Sequence, residues 1–175
     1  MVKITEAQAN REEIIDTRKL LYETWLDTYP NKELGITRED IEDHFKKSFS
    51  EEQIEKKIDF LKNKPDNRFI FIARDDDVVI GVCSVVIGDE VDELKSIYVL
   101  LQYQSKGVGL MLWNEANKKF SNSKPIKVMV ASYNEKAINF YKKLGFTNTG
   151  NIAYDERFRF KSGSIIPETE MIKKN

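Results

Sequence analysis

Apolar and polar positions change their period several times along this chain of 175 residues, and the changes mark its elements. Val2-Lys3-Ile4 alternates and predicts a short first strand. From Glu12 to Tyr29 the apolar positions Ile14, Ile15, Leu21, Trp25, Leu26 and Tyr29 recur at helical spacing, and Pro30-Asn31 closes that helix. Thr37-Arg38-Glu39-Asp40 opens a second helix with an N-cap residue and acids in the first turn. Ser50-Glu51-Glu52-Gln53 reads as a capping box for a third, which carries Ile54, Ile58 and Leu61 on one face. After Lys64-Pro65-Asp66-Asn67 the pattern changes to that of strands. Arg68 to Ala73 and Val78 to Ile87 predict a hairpin turning at Asp75-Asp76-Asp77, and a further strand runs from Glu93 to Leu100. A helix from about Gly107 to Phe120 and a strand from Pro125 to Ala131 follow. A last helix runs from Glu135 to Leu144 with Gly145 as its C′ residue, and strands from Phe146 to Ile172 end the chain. The order is β-α-α-α-β-β-β-α-β-α-β-β: a mixed α/β fold, read as one domain over residues 1–175, and not a doubly wound dinucleotide fold.

Composition narrows the function classes. Lys plus Arg number 28 against 29 for Asp plus Glu, which disfavours a nucleic-acid binder built on a strongly basic surface. No apolar run approaches the ~20 residues of a membrane helix, and the N-terminal residues lack a signal-peptide core. One cysteine excludes an internal disulfide and any cysteine-based zinc cluster, so no metal is expected. The expected location is cytoplasmic.

The candidate chemistry begins at Gln104-Ser105-Lys106-Gly107-Val108-Gly109, where a strand ends and a helix starts. Glycines there let backbone approach an anion, and the unpaired N–H groups of a first helical turn point at it. Lys106 adds a positive charge. A Rossmann loop would need a third small residue where Leu112 stands, and a phosphate-binding P-loop would need Gly-Lys-Ser/Thr, which is absent. Taken alone, the two glycines fit a tight turn that holds nothing equally well.

The flanking residues change that balance. Ile97-Tyr98-Val99, then Gln104-x-x-Gly107-x-Gly109, then Asn134-x-x-Ala137-x-x-Phe140-Tyr141-x-x-Leu144-Gly145-Phe146 resembles the GCN5-related N-acetyltransferase (GNAT) superfamily. The matching blocks span Glu93 to Phe146, about a third of the chain. The resemblance implies a mostly antiparallel central sheet of six to seven strands flanked by helices, with acetyl-CoA as cosubstrate. It implies that Ile97, Tyr98 and Val99 lie along the pantetheine arm, which docks like an added strand. It further implies that the N–H groups from Gln104 through Ser105, Lys106, Gly107, Val108 and Gly109 to Leu110 hold the pyrophosphate. Asn134 would bond the pantetheine or thioester end, Ala137 would contact the cofactor, and Tyr141 would face the sulfur as general acid.

Transfer to an amine requires a neutral nucleophile, yet a primary amine has a pKa of about 10.4. Glu93 matches the position of a carboxylate base in part of the superfamily; read without the resemblance it is a solvent-facing charge at a strand end. Val99 N–H is the candidate donor to the thioester oxygen. Cys83 reads as a small buried residue, so direct attack in a ternary complex is expected instead of an acyl-enzyme. Trp25 and Tyr29, with Glu93 and the acidic run before it, would attract a cationic amine. Glu23-Thr24-Trp25-Leu26-Asp27-Thr28-Tyr29 is similar to the spermidine/polyamine N-acetyltransferases of bacteria and archaea, whereas Lys95 departs from the acid some of them carry. A protein or peptide amine as acceptor, and a non-catalytic acyl-CoA-binding regulatory domain, are the alternatives. The resemblance also allows a homodimer.

Overall fold

The computed structural model describes residues 1–174. The chain runs β1 (Val2–Glu6), α1 (Arg11–Thr28), α2 (Arg38–Phe45), α3 (Glu51–Lys62), β2 (Arg68–Asp75), β3 (Val78–Val86) and β4 (Asp92–Val99). It continues through α4 (Val108–Asn117), β5 (Ile126–Ala131), α5 (Glu135–Lys143), β6 (Thr147–Tyr154) and β7 (Pro167–Lys173). The seven strands form one sheet in the order β1-β2-β3-β4-β5-β7-β6. Every pair is antiparallel except β4 with β5, which is parallel. The expected fold and element order are those observed.

Local chemistry explains most boundaries. The Asn10 side chain accepts from Glu13 N–H at 3.0 Å and starts α1. The reciprocal capping box is at α2, where Thr37 Oγ1 accepts from Asp40 N–H at 3.1 Å and Asp40 accepts back from Thr37 N–H at 2.9 Å. This corrects the expectation for α3: Ser50 caps Gln53 N–H, but no bond returns from the Gln53 side chain to the Ser50 N–H. α4 stops at Asn117, three residues short of the predicted Phe120.

The sheet carries helices on both faces. On one, Phe71, Ala73, Cys83, Val85, Leu94 and Val99 meet Val108, Leu112 and Trp113 of α4 and Tyr141 of α5. On the other, Ile72, Val79 and Val82 meet Leu20 of α1. Burying a side chain such as Leu112 or Leu20 stabilises by about 1.5–3 kcal/mol, so these contacts hold α1 and α4 firmly on the middle strands, where the candidate site lies.

Candidate active site

β4 is the strand that matters most. Ser84 pairs with Ser96 but Val85 pairs with Leu94, so Lys95 is an extra residue, a β-bulge. The bulge explains how Leu94 and Val99, an odd number of residues apart, both enter the core beneath α4. A bulge also bends its strand and ends regular pairing. β4 pairs with β5 only over Asp92–Leu94, opposite Ile126–Val128, whereas its pairing with β3 continues to Val99. Beyond Leu94 the two strands diverge and leave a wedge. Asp92 pins the narrow end: fully buried, it accepts from Gly88 N–H at 3.2 Å and Ser121 N–H at 3.0 Å, and it lies 3.5 Å from the Lys124 ammonium.

Hydrogen bonding sets which β4 groups face the wedge. Leu100 N–H bonds Ile80 carbonyl at 3.0 Å, so in this register Leu100 and Tyr98 are directed at β3. Antiparallel pairs alternate, and the main-chain groups of Ile97 and Val99 therefore point away from β3, into the wedge. The Val99 carbonyl accepts from Gln104 Nε2 at 2.9 Å, and Gln104 Oε1 accepts from the Lys136 ammonium. The N–H groups of Ile97 and Val99 and the carbonyl of Ile97 have no strand partner on that side among the described residues.

This edge leads into the glycine loop. Ser105 has φ 61° and Gly107 φ 85°, two left-handed residues that turn successive N–H groups toward one concave side. Gly107 is the N-cap of α4 and brings no side chain to the cap, so the first N–H groups of the helix have no capping side chain among the described residues. The two glycines act differently. A Cβ on Gly107 would meet nothing within 4 Å, so its requirement is the backbone angle. Gly109 is helical, and a Cβ there would lie 3.4 Å from the Phe140 ring. Exposed Lys106 lies over the Tyr103 ring at 5.3 Å, and Leu110 is exposed at the start of the helix. A diphosphate fits this concave, positively polarised turn.

α5 closes the opposite side. Asn134 Oδ1 accepts from Ala137 N–H at 3.1 Å and caps α5, leaving its Nδ2 unengaged by any described residue. Tyr141 is buried between Phe140 and Phe146, with ring centroids at 5.4 and 5.7 Å. No described group hydrogen-bonds its hydroxyl. Burial, then Cys83 and Tyr98, push its pKa up, which keeps the phenol protonated. Burial likewise raises the Cys83 thiol, which makes it a poor nucleophile.

The other face of β4 belongs to α1. The Tyr98 side chain turns away from the loop, and its hydroxyl shares a 2.8 Å hydrogen bond with that of Tyr29. Tyr133 Oη donates to the Tyr29 carbonyl at 2.8 Å and braces the end of α1. Trp25 contacts the Tyr29 ring edge-on at 4.7 Å and stacks on His44 at 4.8 Å, with Phe158 nearby at 6.2 Å. Burial lowers the His44 pKa and so favours the neutral imidazole in this aromatic group. Two of the expected site residues are placed here. Tyr98 offers its side chain to the α1 face, not to the loop. Glu93 sits at the narrow end of the wedge, its carboxylate 2.9 Å from Lys95 and 3.0 Å from Lys127. Burial alone would raise its pKa, but hydrogen bonds from the two lysines outweigh that and hold it below the usual range. A carboxylate so neutralised is a weak base.

Sequence reasoning passed over Glu168. It lies on β7 opposite Ala131 of β5 and Ala153 of β6, half-buried, with no hydrogen bond or ion pair among the described residues. Its charge acts on the hydroxyls of both Tyr29 and Tyr98. Glu168-Thr169-Glu170 reads as ordinary alternation, and no local signal sets Glu168 apart. Among the described residues no group of three or more His, Cys, Asp or Glu side chains could hold a metal, and no helix is long and apolar enough to cross a membrane.

Known proteins share this arrangement. The acetyltransferase (GNAT) domain family matches residues 26–162. Among solved structures, the chain is similar to the PaiA N-acetyltransferase from Thermoplasma acidophilum in complex with coenzyme A, at 23% identity and a TM-score of 0.75, covering 100% of this chain and 99% of that one. It is similar to the ribosomal-protein-S18-alanine N-acetyltransferase from Escherichia coli at 15% identity and a TM-score of 0.63, covering 99% and 93%. A spermidine N-acetyltransferase chimera from Vibrio cholerae aligns at 18% identity and a TM-score of 0.61, covering 99% and 95%. These likenesses are of fold, whereas the family match extends over most of the sequence. With its diverging β4 and β5 and its glycine loop at the head of α4, the chain belongs to the acetyltransferase (GNAT) domain family and is an N-acetyltransferase.

Proposed function

We propose that the protein transfers an acetyl group from acetyl-CoA to a primary amine by direct attack in a ternary complex. The observation that carries this reading is the unpaired β4 edge running into the uncapped N-terminus of α4. The N–H groups of the Ser105–Leu110 turn bind the pyrophosphate, and those of Ile97 and Val99 take the pantetheine arm as a strand would. Gln104, tied to Val99 and Lys136, holds loop and strand together. The Nδ2 of Asn134, which no described residue engages, stabilises the negative charge that develops on the thioester oxygen. Tyr141 donates its proton to the departing sulfur, a role suited to a hydroxyl that stays protonated and has no hydrogen-bond partner among the described residues.

Buried and inert, Cys83 favours direct attack over a covalent acyl-enzyme. On the acceptor side, Trp25 and Tyr29 form an aromatic wall, and half-buried Glu168 supplies negative charge within electrostatic reach of Tyr29. Such a wall suits a small cationic amine, and polyamines such as spermidine are the first candidates. Thiol release from acetyl-CoA, measured across polyamines, amino acids and peptides, tests the reading. Turnover with small amines is the expected result; turnover with peptides alone would reassign the acceptor. Coenzyme A binding without turnover on any amine would leave a binding domain and refute the proposal.

A further inference from the structure

The function proposed above lacks a base, because Glu93 is neutralised by two lysines. We propose that Glu168 is the general base, taking the proton from a protonated primary amine at the wide end of the wedge. The inference rests on the acetyl-transfer reading and names the group that reading needs.

Position comes first. Glu168 is near the start of β7, beside the end of β5, where the wedge is widest. Its neighbours across both strand pairs are alanines, Ala131 and Ala153, which are too short to cover its carboxylate. Tyr29 from α1 and Tyr98 from β4 lie within electrostatic reach, and Tyr98 in turn lies within reach of Tyr141. The carboxylate and the Tyr141 hydroxyl thus both lie within electrostatic reach of the same phenol pair.

Freedom comes second. A base must have an unengaged lone pair aimed at its proton. Glu93 spends both oxygens on lysines, whereas Glu168 makes no hydrogen bond or ion pair with any described residue. The charged groups facing it are Asp155 after β6, Lys95 on β4 and Arg157 in the following turn, none of the three at ion-pair distance. Burial raises its pKa and Asp155 raises it further, against the smaller opposing pull of Lys95 and Arg157. A raised carboxylate pKa moves a base toward the working pH.

The protons balance. R–NH3⁺ gives one proton to the Glu168 carboxylate, and the freed nitrogen lone pair attacks the thioester carbon. The C–N bond forms, the C–S bond breaks, and the sulfur takes the Tyr141 proton. The second proton lost by the nitrogen returns to Tyr141 through solvent, and Glu168 releases its own to solvent. The net products are the acetamide, free thiol and one proton.

The test compares wild type, Glu168→Gln and Glu93→Gln in thiol-release assays from acid to alkaline pH, with coenzyme A affinity measured by calorimetry. Below the raised Glu168 pKa the carboxyl is protonated, so wild-type kcat/KM should fall toward acid. Glu168→Gln should lower kcat about 10²- to 10⁴-fold at neutral pH and abolish that acid limb, with coenzyme A affinity unchanged. Glu93→Gln should keep the limb. Removing a half-buried charge that no described residue pairs should leave the melting temperature equal or higher, which separates lost chemistry from lost folding. Glu168→Gln with the wild-type acid limb would overturn the assignment alone. Wild type that binds coenzyme A but turns over no amine would overturn the parent reading and this inference together.

Discussion

Gly107→Ala probes the loop through a single angle. The residue has φ 85° and ψ −6°, and a methyl there meets no atom within 4 Å, so the whole cost is conformational. An L-residue in the left-handed region costs about 1–2 kcal/mol. The stiffer unfolded chain offsets about 0.4–1 kcal/mol of that, which leaves a net loss of about 1 kcal/mol. In a chain of this size, that lowers the melting temperature by about 2–4 °C. If the loop instead relaxes to a right-handed angle, at least one N–H no longer aims at the pyrophosphate. Hydrogen bonds to a charged group contribute about 1.5–3 kcal/mol, so coenzyme A affinity should weaken about tenfold to a hundredfold. Scanning calorimetry and isothermal titration with coenzyme A measure both effects. Gly107→Asn, whose side chain tolerates the left-handed region, should recover most of each. Gly109→Ala should leave stability within about 1 kcal/mol, since its backbone is helical and Ala is the better helix former. Unchanged melting and unchanged affinity in Gly107→Ala would refute the claim that this angle builds the anion site.

The remaining predictions concern single groups. Tyr141→Phe should lower turnover about 10²- to 10⁴-fold while coenzyme A affinity and thermal stability hold, because the hydroxyl has no hydrogen bond to lose; an unchanged steady-state rate would remove Tyr141 from the mechanism. Glu93→Gln should keep kcat/KM within about threefold, and its partly exposed lysine pairs should cost under about 1 kcal/mol in urea unfolding. A large rate loss there would restore Glu93 as base. Asp92→Ala should destabilise by about 3 kcal/mol, because two backbone N–H groups and the Lys124 ammonium converge on that buried carboxylate. Urea unfolding that moved by less than about 1 kcal/mol would show that the narrow end of the wedge is held by other contacts.

The element order and the glycine turn at the head of α4 were legible in the sequence because both are local. Periodicity marks strands and helices from residues within a few positions, Thr37 caps its helix from a turn away, and Gly107 needs only its own backbone angle. The blocks around Ile97 and Tyr141 could likewise be read as a resemblance, since each is contiguous. The candidate base could not. Glu93 looked suitable because its place on β4 matches a known pattern, but Lys127, which neutralises it, arrives from β5 only when the two strands pair. Glu168 lay in an unremarkable alternating strand; its lack of a partner follows from the alanines on its two neighbouring strands. The bulge at Lys95 belongs to the same class: nothing in Leu94-Lys95-Ser96 announces it, yet it diverts β4, opens the wedge and turns Tyr98 toward Tyr29. Sequence determined where the proposed cofactor loop falls, because backbone N–H geometry is set within one turn. Tertiary structure decided which carboxylate remains free to accept a proton, because charge neutralisation depends on residues brought together from separate strands.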